Sequence, residues 1–249
     1  MRFKVPTSWN ELSQSELRYV MKLLWLYGEH PNGVDRVQVA SFLHFTGTDV
    51  VRRTSDGWLC REVRTSKTFL LDPSLLPSLL EPLGWVCRPE TLDVRIDRVG
   101  DYSAVDFSLR ELMFGDYLQV ENFFQSYLQS KQSDCLFRMA RLLYRVPTDD
   151  SALCLCNEVL LGVFLWFNAA KQLLGREFPH FLKPASDDSG PVTRERLVSG
   201  MRAQIRALTK GDVTKQRYIL EETDTWTALS ELDALAAESE RLRELRVDN

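Results

Sequence analysis

The chain has little of what specific chemistry demands. Its three histidines, His30, His44 and His180, lie far apart, and none has a second ligand at the i+4 offset a helical metal pair would need. No metal centre is expected, and His44, alone among Phe42, Leu43 and Phe45, reads as a core or half-buried side chain. The five cysteines, Cys60, Cys87, Cys135, Cys154 and Cys156, are odd in number and sit in apolar runs. They suggest reduced, buried thiols in a cytoplasmic setting, not a disulfide framework. Cys154 and Cys156, two apart on an expected helix, would point roughly 200° away from each other and could not share an ion. Glycine is equally sparse where phosphate binding would need it: LTKGDVTK has one glycine where a cradle needs several. No nucleophile elbow is present. The paired acids Asp149-Asp150 and Asp187-Asp188 stand at helix starts or in a linker, where capping and the helix dipole account for them. The expectation is a protein that is not an enzyme, with no catalytic, cofactor-binding or metal-binding residues.

Long hydrophobic runs are also missing. The most apolar stretch, ALCLCNEVLLGVFLWFNAAKQLL from Ala152 to Leu174, is broken at Asn157 and Glu158 and again at Asn168 and Lys171, whereas a membrane span needs about 20 apolar residues. The opening MRFKVPTSWNELSQSEL has no apolar core behind its two basic residues, so no export signal is expected. With 31 basic and 35 acidic residues the chain has no excess of positive charge, and any basic surface must be local.

What is present is helical periodicity. Plotted at about 100° per residue, Ala152 to Leu174 gathers Asn157, Glu158, Asn168, Lys171 and Gln172 on one narrow seam, interrupted by Leu161, Phe164 and Leu165. The remaining circumference is apolar, so this reads as a central helix covered on most sides. Ahead of it, Ser13 and Glu16 have the spacing of a reciprocal cap, predicting a helix from Gln14 to Tyr27 with Leu17, Val20, Met21, Leu24 and Trp25 inside. A second helix is predicted from Val34 to Phe45, ended by Gly47. Ser55-Asp56-Gly57 signals a turn, and WLCREV and KTFLL read as the strands of a hairpin. One more strand is expected within Asp93 to Val99. FGDYLQVENFFQSYLQS follows with Tyr117, Val120, Phe123, Phe124, Tyr127 and Leu128 on its apolar face and Gln119, Glu121, Asn122, Gln125 and Ser126 on the other. A further helix carries Leu136, Met139, Ala140 and Leu143 inside. The expected fold is mainly α: a helical bundle around a central apolar helix, with a small β-hairpin in the N-terminal half and a C-terminal helical arm. The expected divisions are an α+β region at 1–107, the central bundle at 108–182, a linker at 183–191 (KPASDDSGP within it), and a charged helical arm at 192–249.

That arm is divided by charge. Arg194 to Arg217 holds seven bases against two acids, and Tyr218 to Asn249 holds nine acids against three bases. Arg202, Arg206 and Lys210 stand four apart and form a basic ridge on one helix face. With Lys215 and Trp226 they are the candidate binding residues. A ridge of this kind either contacts phosphates, or pairs with the acidic helix that follows, or is merely solvated. The ridge itself has no aromatics, which weighs against single-strand binding.

The segments MRAQIRALTKGDVTKQ (Met201 to Gln216) and DTWTALSELDA (Asp224 to Ala234) resemble a family of poorly characterised proteins encoded by phages and prophages of gut Bacteroidetes. WNELSQSELRYV (Trp9 to Val20), FLHFTGT (Phe42 to Thr48) and FGDYLQVENFFQSYL (Phe114 to Leu128) are similar to segments of the same family, while Val50 to Val105 is not matched. The resemblance implies a virion-morphogenesis context: a tail-assembly chaperone that binds a phage tail or tape-measure protein, or a minor virion component, in the host cytoplasm or on the virion. The family brings no catalytic residues to transfer. The alternative from the residues alone is a nucleic-acid-binding or regulatory protein using Arg202, Arg206 and Lys210.

Overall fold

The computed structural model of the chain describes residues 3–147, 155–182 and 193–247. The fold is mainly helical with small antiparallel sheets. In order the elements are α1 (Gln14–Tyr27), α2 (Gly33–Thr46), β1 (Thr48–Thr54), β2 (Gly57–Glu62), β3 (Thr68–Leu71), α3 (Leu76–Leu80), β4 (Arg98–Val99), β5 (Tyr102–Ser103), α4 (Phe114–Ser130), α5 (Ser133–Leu143), α6 (Asn157–Glu177), α7 (Arg194–Thr209), α8 (Gln216–Glu221) and α9 (Thr225–Val247).

Contacts gather the described residues into two units. One holds residues 3–96 and 156–165; the other holds 97–147, 155, 166–182 and 193–247. Helix α6 belongs to both, its first half to one and its second half to the other.

In the first unit, α1 starts as its sequence predicts. The Ser13 hydroxyl accepts from the Glu16 amide, and the Glu16 carboxylate accepts from the Ser13 amide at 2.8 Å. Leu17, Val20, Met21 and Leu23 turn inward, while Trp25, expected inside, is exposed. Helix α2 ends where Gly47 takes the left-handed conformation. His44 departs from expectation. Its ring is exposed and lies flat on Tyr19, with centroids 3.9 Å apart.

The expected hairpin is β2 paired with β3, and the structure adds a strand that the sequence reading did not predict. Strand β1 pairs antiparallel with the other side of β2, giving the order β1-β2-β3. Cys60 and Leu71 are buried on one face of this sheet, and Leu59, Arg61 and Leu70 lie on the other. Of the strand expected within Asp93 to Val99, only Arg98–Val99 pairs, with Tyr102–Ser103, around the positive-φ Gly100.

The central helix begins at Asn157 and runs to Glu177; Ala152 to Cys154 lie outside the described residues. Val159, Leu160, Val163, Leu165, Trp166, Phe167, Ala169, Ala170 and Leu174 are buried. Except for Leu165, the residues placed on the polar seam or interrupting it are at least partly exposed, so the periodicity reading describes this helix well. Within the first unit, α6 packs so closely that a Cβ on Gly162 would lie 3.0 Å from Ile96 Cδ1 and 3.9 Å from Met21. Among the described residues no helix is long and apolar enough to cross a membrane.

In the second unit α4 is the hub. Phe124 meets Phe167 of α6 with centroids 5.2 Å apart, and Phe114, Tyr117, Leu118 and Val120 are buried with it. Leu128, expected inside, is exposed. The C-terminal arm is tied down at its last corner. Thr225 donates from both its amide and its hydroxyl to the Leu112 carbonyl, and Phe114 donates its amide to the Thr223 carbonyl. Asp224 then caps α9 by accepting from the amide and hydroxyl of Thr227 at 2.9 and 2.6 Å.

Candidate functional site

The residues singled out from sequence occupy three places in the second unit. Arg202 and Arg206 are exposed on α7, and no carboxylate among the described residues pairs with either. The ridge therefore stands in solvent and is not neutralised by the acidic α9. Lys210 caps α7 in the left-handed conformation at φ 52°. It lines an open depression with Leu208, Tyr218, Glu222, Trp226 and Glu231. Lys215 stands apart, 3.8 Å from Asp212. Trp226 is held by the protein's own contacts. Its indole donates to the Ser108 carbonyl at 2.7 Å, Phe178 meets it edge-on, and the Arg110 guanidinium lies 3.8 Å from the ring centroid.

A groove that the sequence did not disclose lies between α4, α7 and α8, with a volume of about 620 Å³. Its apolar lining comes from Leu118 on α4, Val198, Met201 and Ile205 on α7, and Leu220 on α8, with Met113 at one end. The spacing of the three α7 residues puts them on one stripe. The close approach of α8 to α4 sets the groove's width: a Cβ on Gly115 would lie 2.6 Å from the Leu220 carbonyl oxygen. Asp116, Gln119, Asn122 and Glu221 form the polar lining on the α4 and α8 side, whereas the α7 residues that line the groove are apolar. The charged residues of the lining are thus acidic. Burial pushes the Asp116 carboxyl above the usual aspartate range, with Arg145 pulling the other way.

Beside this groove is a smaller recess of about 240 Å³, bordered by Tyr117, Glu121, Lys171, Leu197 and Gln204. Glu121, expected on the solvent face of α4, is largely enclosed. Its Oε1 accepts from Lys171 Nζ at 2.6 Å and from Gln125 Nε2 at 2.8 Å, while its Oε2 is buried without a partner. Helical periodicity missed this because the partner, Lys171, comes from another helix. Tyr117 is enclosed next to it, and burial pushes its phenol far above the ordinary value.

The other polar residues considered from sequence do not converge. His30 accepts from the Asn32 amide, and His180 contacts Glu240 at 3.0 Å. Among the described residues no group of three or more His, Cys, Asp or Glu could hold a metal ion. Of the described cysteines, Cys60 alone is buried; Cys87 and Cys135 are half-buried and Cys156 is exposed just before α6, so the expectation of uniformly buried thiols does not hold. Cys154, Asp149-Asp150, Asp187-Asp188 and the 183–191 linker lie outside the described residues.

Compared with known proteins, the chain matches no family model, no curated protein and no solved structure.

Proposed function

We propose that the protein is a non-enzymatic binding factor that receives an amphipathic helix of a partner protein in the groove between α4, α7 and α8. The observation that carries this reading is the groove's make-up: an apolar floor of Leu118, Val198, Met201, Ile205 and Leu220 beside a polar border that carries Asp116 and Glu221. A helix lying in such a groove would bury an i, i+3/i+4, i+7 stripe and present basic residues toward Asp116 and Glu221. Taken with the resemblance at Met201 to Gln216, which falls on one wall of this groove, the partner would be a phage tail component such as the tape-measure protein. The role would be that of a tail-assembly chaperone or minor morphogenesis factor.

Co-expression with neighbouring tail proteins and pull-down tests the reading. Retention of a tail protein by the wild type and its loss, at least tenfold, in Ile205→Glu is the expected result, with circular dichroism confirming that α7 remains helical. Retention unchanged in Ile205→Glu would remove the groove from the account, and failure to retain any tail protein would remove the chaperone role.

A second reading, nucleic-acid binding, is favoured by one observation: Arg202 and Arg206 are exposed without a paired carboxylate among the described residues. It requires binding to DNA or RNA that tightens steeply as salt is lowered and weakens in the double Arg202→Ala, Arg206→Ala variant. Weak binding even at low salt would exclude it.

A further inference from the structure

The recess beside the groove gathers hydrogen-bonding capacity that the fold itself leaves unused. Tyr117 and Glu121, one turn apart on the same face of α4, Lys171 of α6 and Gln204 of α7 all border its space of about 240 Å³. Tyr117 is only 4% exposed, and its hydroxyl makes no hydrogen bond among the described residues. Glu121 Oε1 accepts from Lys171 and Gln125, but Oε2 is buried without a partner, on a side chain that is 14% exposed. Lys171 gives one N–H to Glu121 and lies 5.2 Å from the Phe124 ring centroid, so further donors remain on its ammonium. The Gln204 amide is also unbonded among the described residues. Buried polar groups normally find partners, and an unpaired carboxylate oxygen is costly. An ion pair that merely ties α4 to α6 needs Oε1 alone. It gives no reason for a phenol, an amide and a second carboxylate oxygen to meet at one space.

Size and chemistry together specify an occupant. The space is several times the ~30 Å³ share of one water and lies below the ~300–1,000 Å³ of pockets for drug-sized ligands. A molecule seated there must donate to Glu121 and accept from Lys171, two opposite charges only 2.6 Å apart. An α-amino acid carries an ammonium and a carboxylate on one carbon, so laid across this ion pair each of its charges meets the opposite one. A simple amine would bring a like charge to Lys171, and a simple carboxylate a like charge to Glu121. Leu118, Phe181, Leu197 and Met201 supply an apolar wall for a side chain. We infer that the recess binds a free apolar α-amino acid of about the size of leucine, its ammonium on Glu121 and the Tyr117 hydroxyl and its carboxylate on Lys171 and the Gln204 amide. The recess adjoins the groove at Leu118 and Met201 but does not rest on the partner-helix reading, and its test needs no partner.

Titration of the isotope-labelled full chain with L-leucine into the millimolar range, followed by NMR, tests it. Saturable shifts centred on the Gly200 amide and the Gln204 side-chain amide are expected. Isocaproate, which lacks the ammonium, and isopentylamine, which lacks the carboxylate, should each bind more weakly by about tenfold or more. Glu121→Gln should weaken leucine binding to a similar degree. Tyr117→Phe, which removes one oxygen and keeps the buried ring, should weaken it severalfold even if Glu121→Gln folds poorly, and far-UV circular dichroism checks both. A wild type that gives no saturable shift, half-ligands that bind as tightly as leucine, or folded variants that bind leucine as the wild type does would each overturn the inference. A purely structural ion pair would lower the melting temperature of Glu121→Gln and leave the wild type without leucine binding.

Discussion

Asp224 shows how much one short side chain can fix. Burial alone would push its carboxyl up, but hydrogen bonds from the Thr227 hydroxyl and amide and from the Trp226 amide outweigh burial and hold it below the usual aspartate range. Because the folded value is depressed, the stabilisation is present at neutral pH and is lost as pH falls through the acid range toward the folded value. Asp224→Ala should therefore cost about 1 kcal/mol at neutral pH. The gap between variant and wild type should close below about pH 4, where the unfolded aspartate also takes up its proton. Urea denaturation of both proteins across pH 3 to 8 would measure this; a gap that stays constant with pH would show that the cap acts through shape and not through charge. The cap at Ser13 and Glu16 was legible in sequence, since a cap is decided by its immediate neighbours. Glu121 was not legible: its surroundings are set by Lys171, fifty positions away, and periodicity within α4 assigns it to solvent.

At the level of elements, the same contrast separates what could be read from what could not. Helices α1, α2, α4 and α5 follow from spacing and from caps at Ser13 and Gly47, all local signals. Strand β1 escaped because alternation betrays a strand only when one face is buried, and Asp49 to Arg53 are exposed throughout. Short α8 escaped because six residues complete too few turns to show a period. The groove was invisible for a further reason: its lining comes from three helices, two of them separated by more than sixty residues of chain. Gly115 is where this assembly is most sensitive. Its substitution by alanine would drive a Cβ to 2.6 Å from the Leu220 backbone oxygen, which no side-chain rotation relieves, so α8 must move away from α4. Gly115→Ala should destabilise the protein by roughly 1–3 kcal/mol despite alanine's better helix propensity. It should also weaken binding of the partner helix proposed for the groove. An unchanged melting temperature would show that α8 is free to yield.

For the molecule as a whole, the feature that matters is that α6 serves both units. Melting either half of this helix removes buried residues such as Val163 or Phe167 from one unit and leaves the other with a frayed end. Unfolding should accordingly be cooperative, with amides of α1 and of α4 losing hydrogen-exchange protection at the same denaturant concentration. Two separated midpoints would mean that the shared helix does not couple them.

The shared helix also imposes an order in time. Residues 3–96 and the stretch that packs against Met21 and Ile96 around Gly162 are separated by about sixty residues, so the first unit cannot close when its own strands and helices have been made. At ~5–20 residues per second the ribosome needs several seconds more before Cys156 to Leu165 can follow. Throughout that interval Met21 of α1 and Ile96 lack the neighbour that Gly162 of α6 brings. The nascent chain therefore passes through a stage in which residues 3–96 are made and the α6 segment that completes their unit is not.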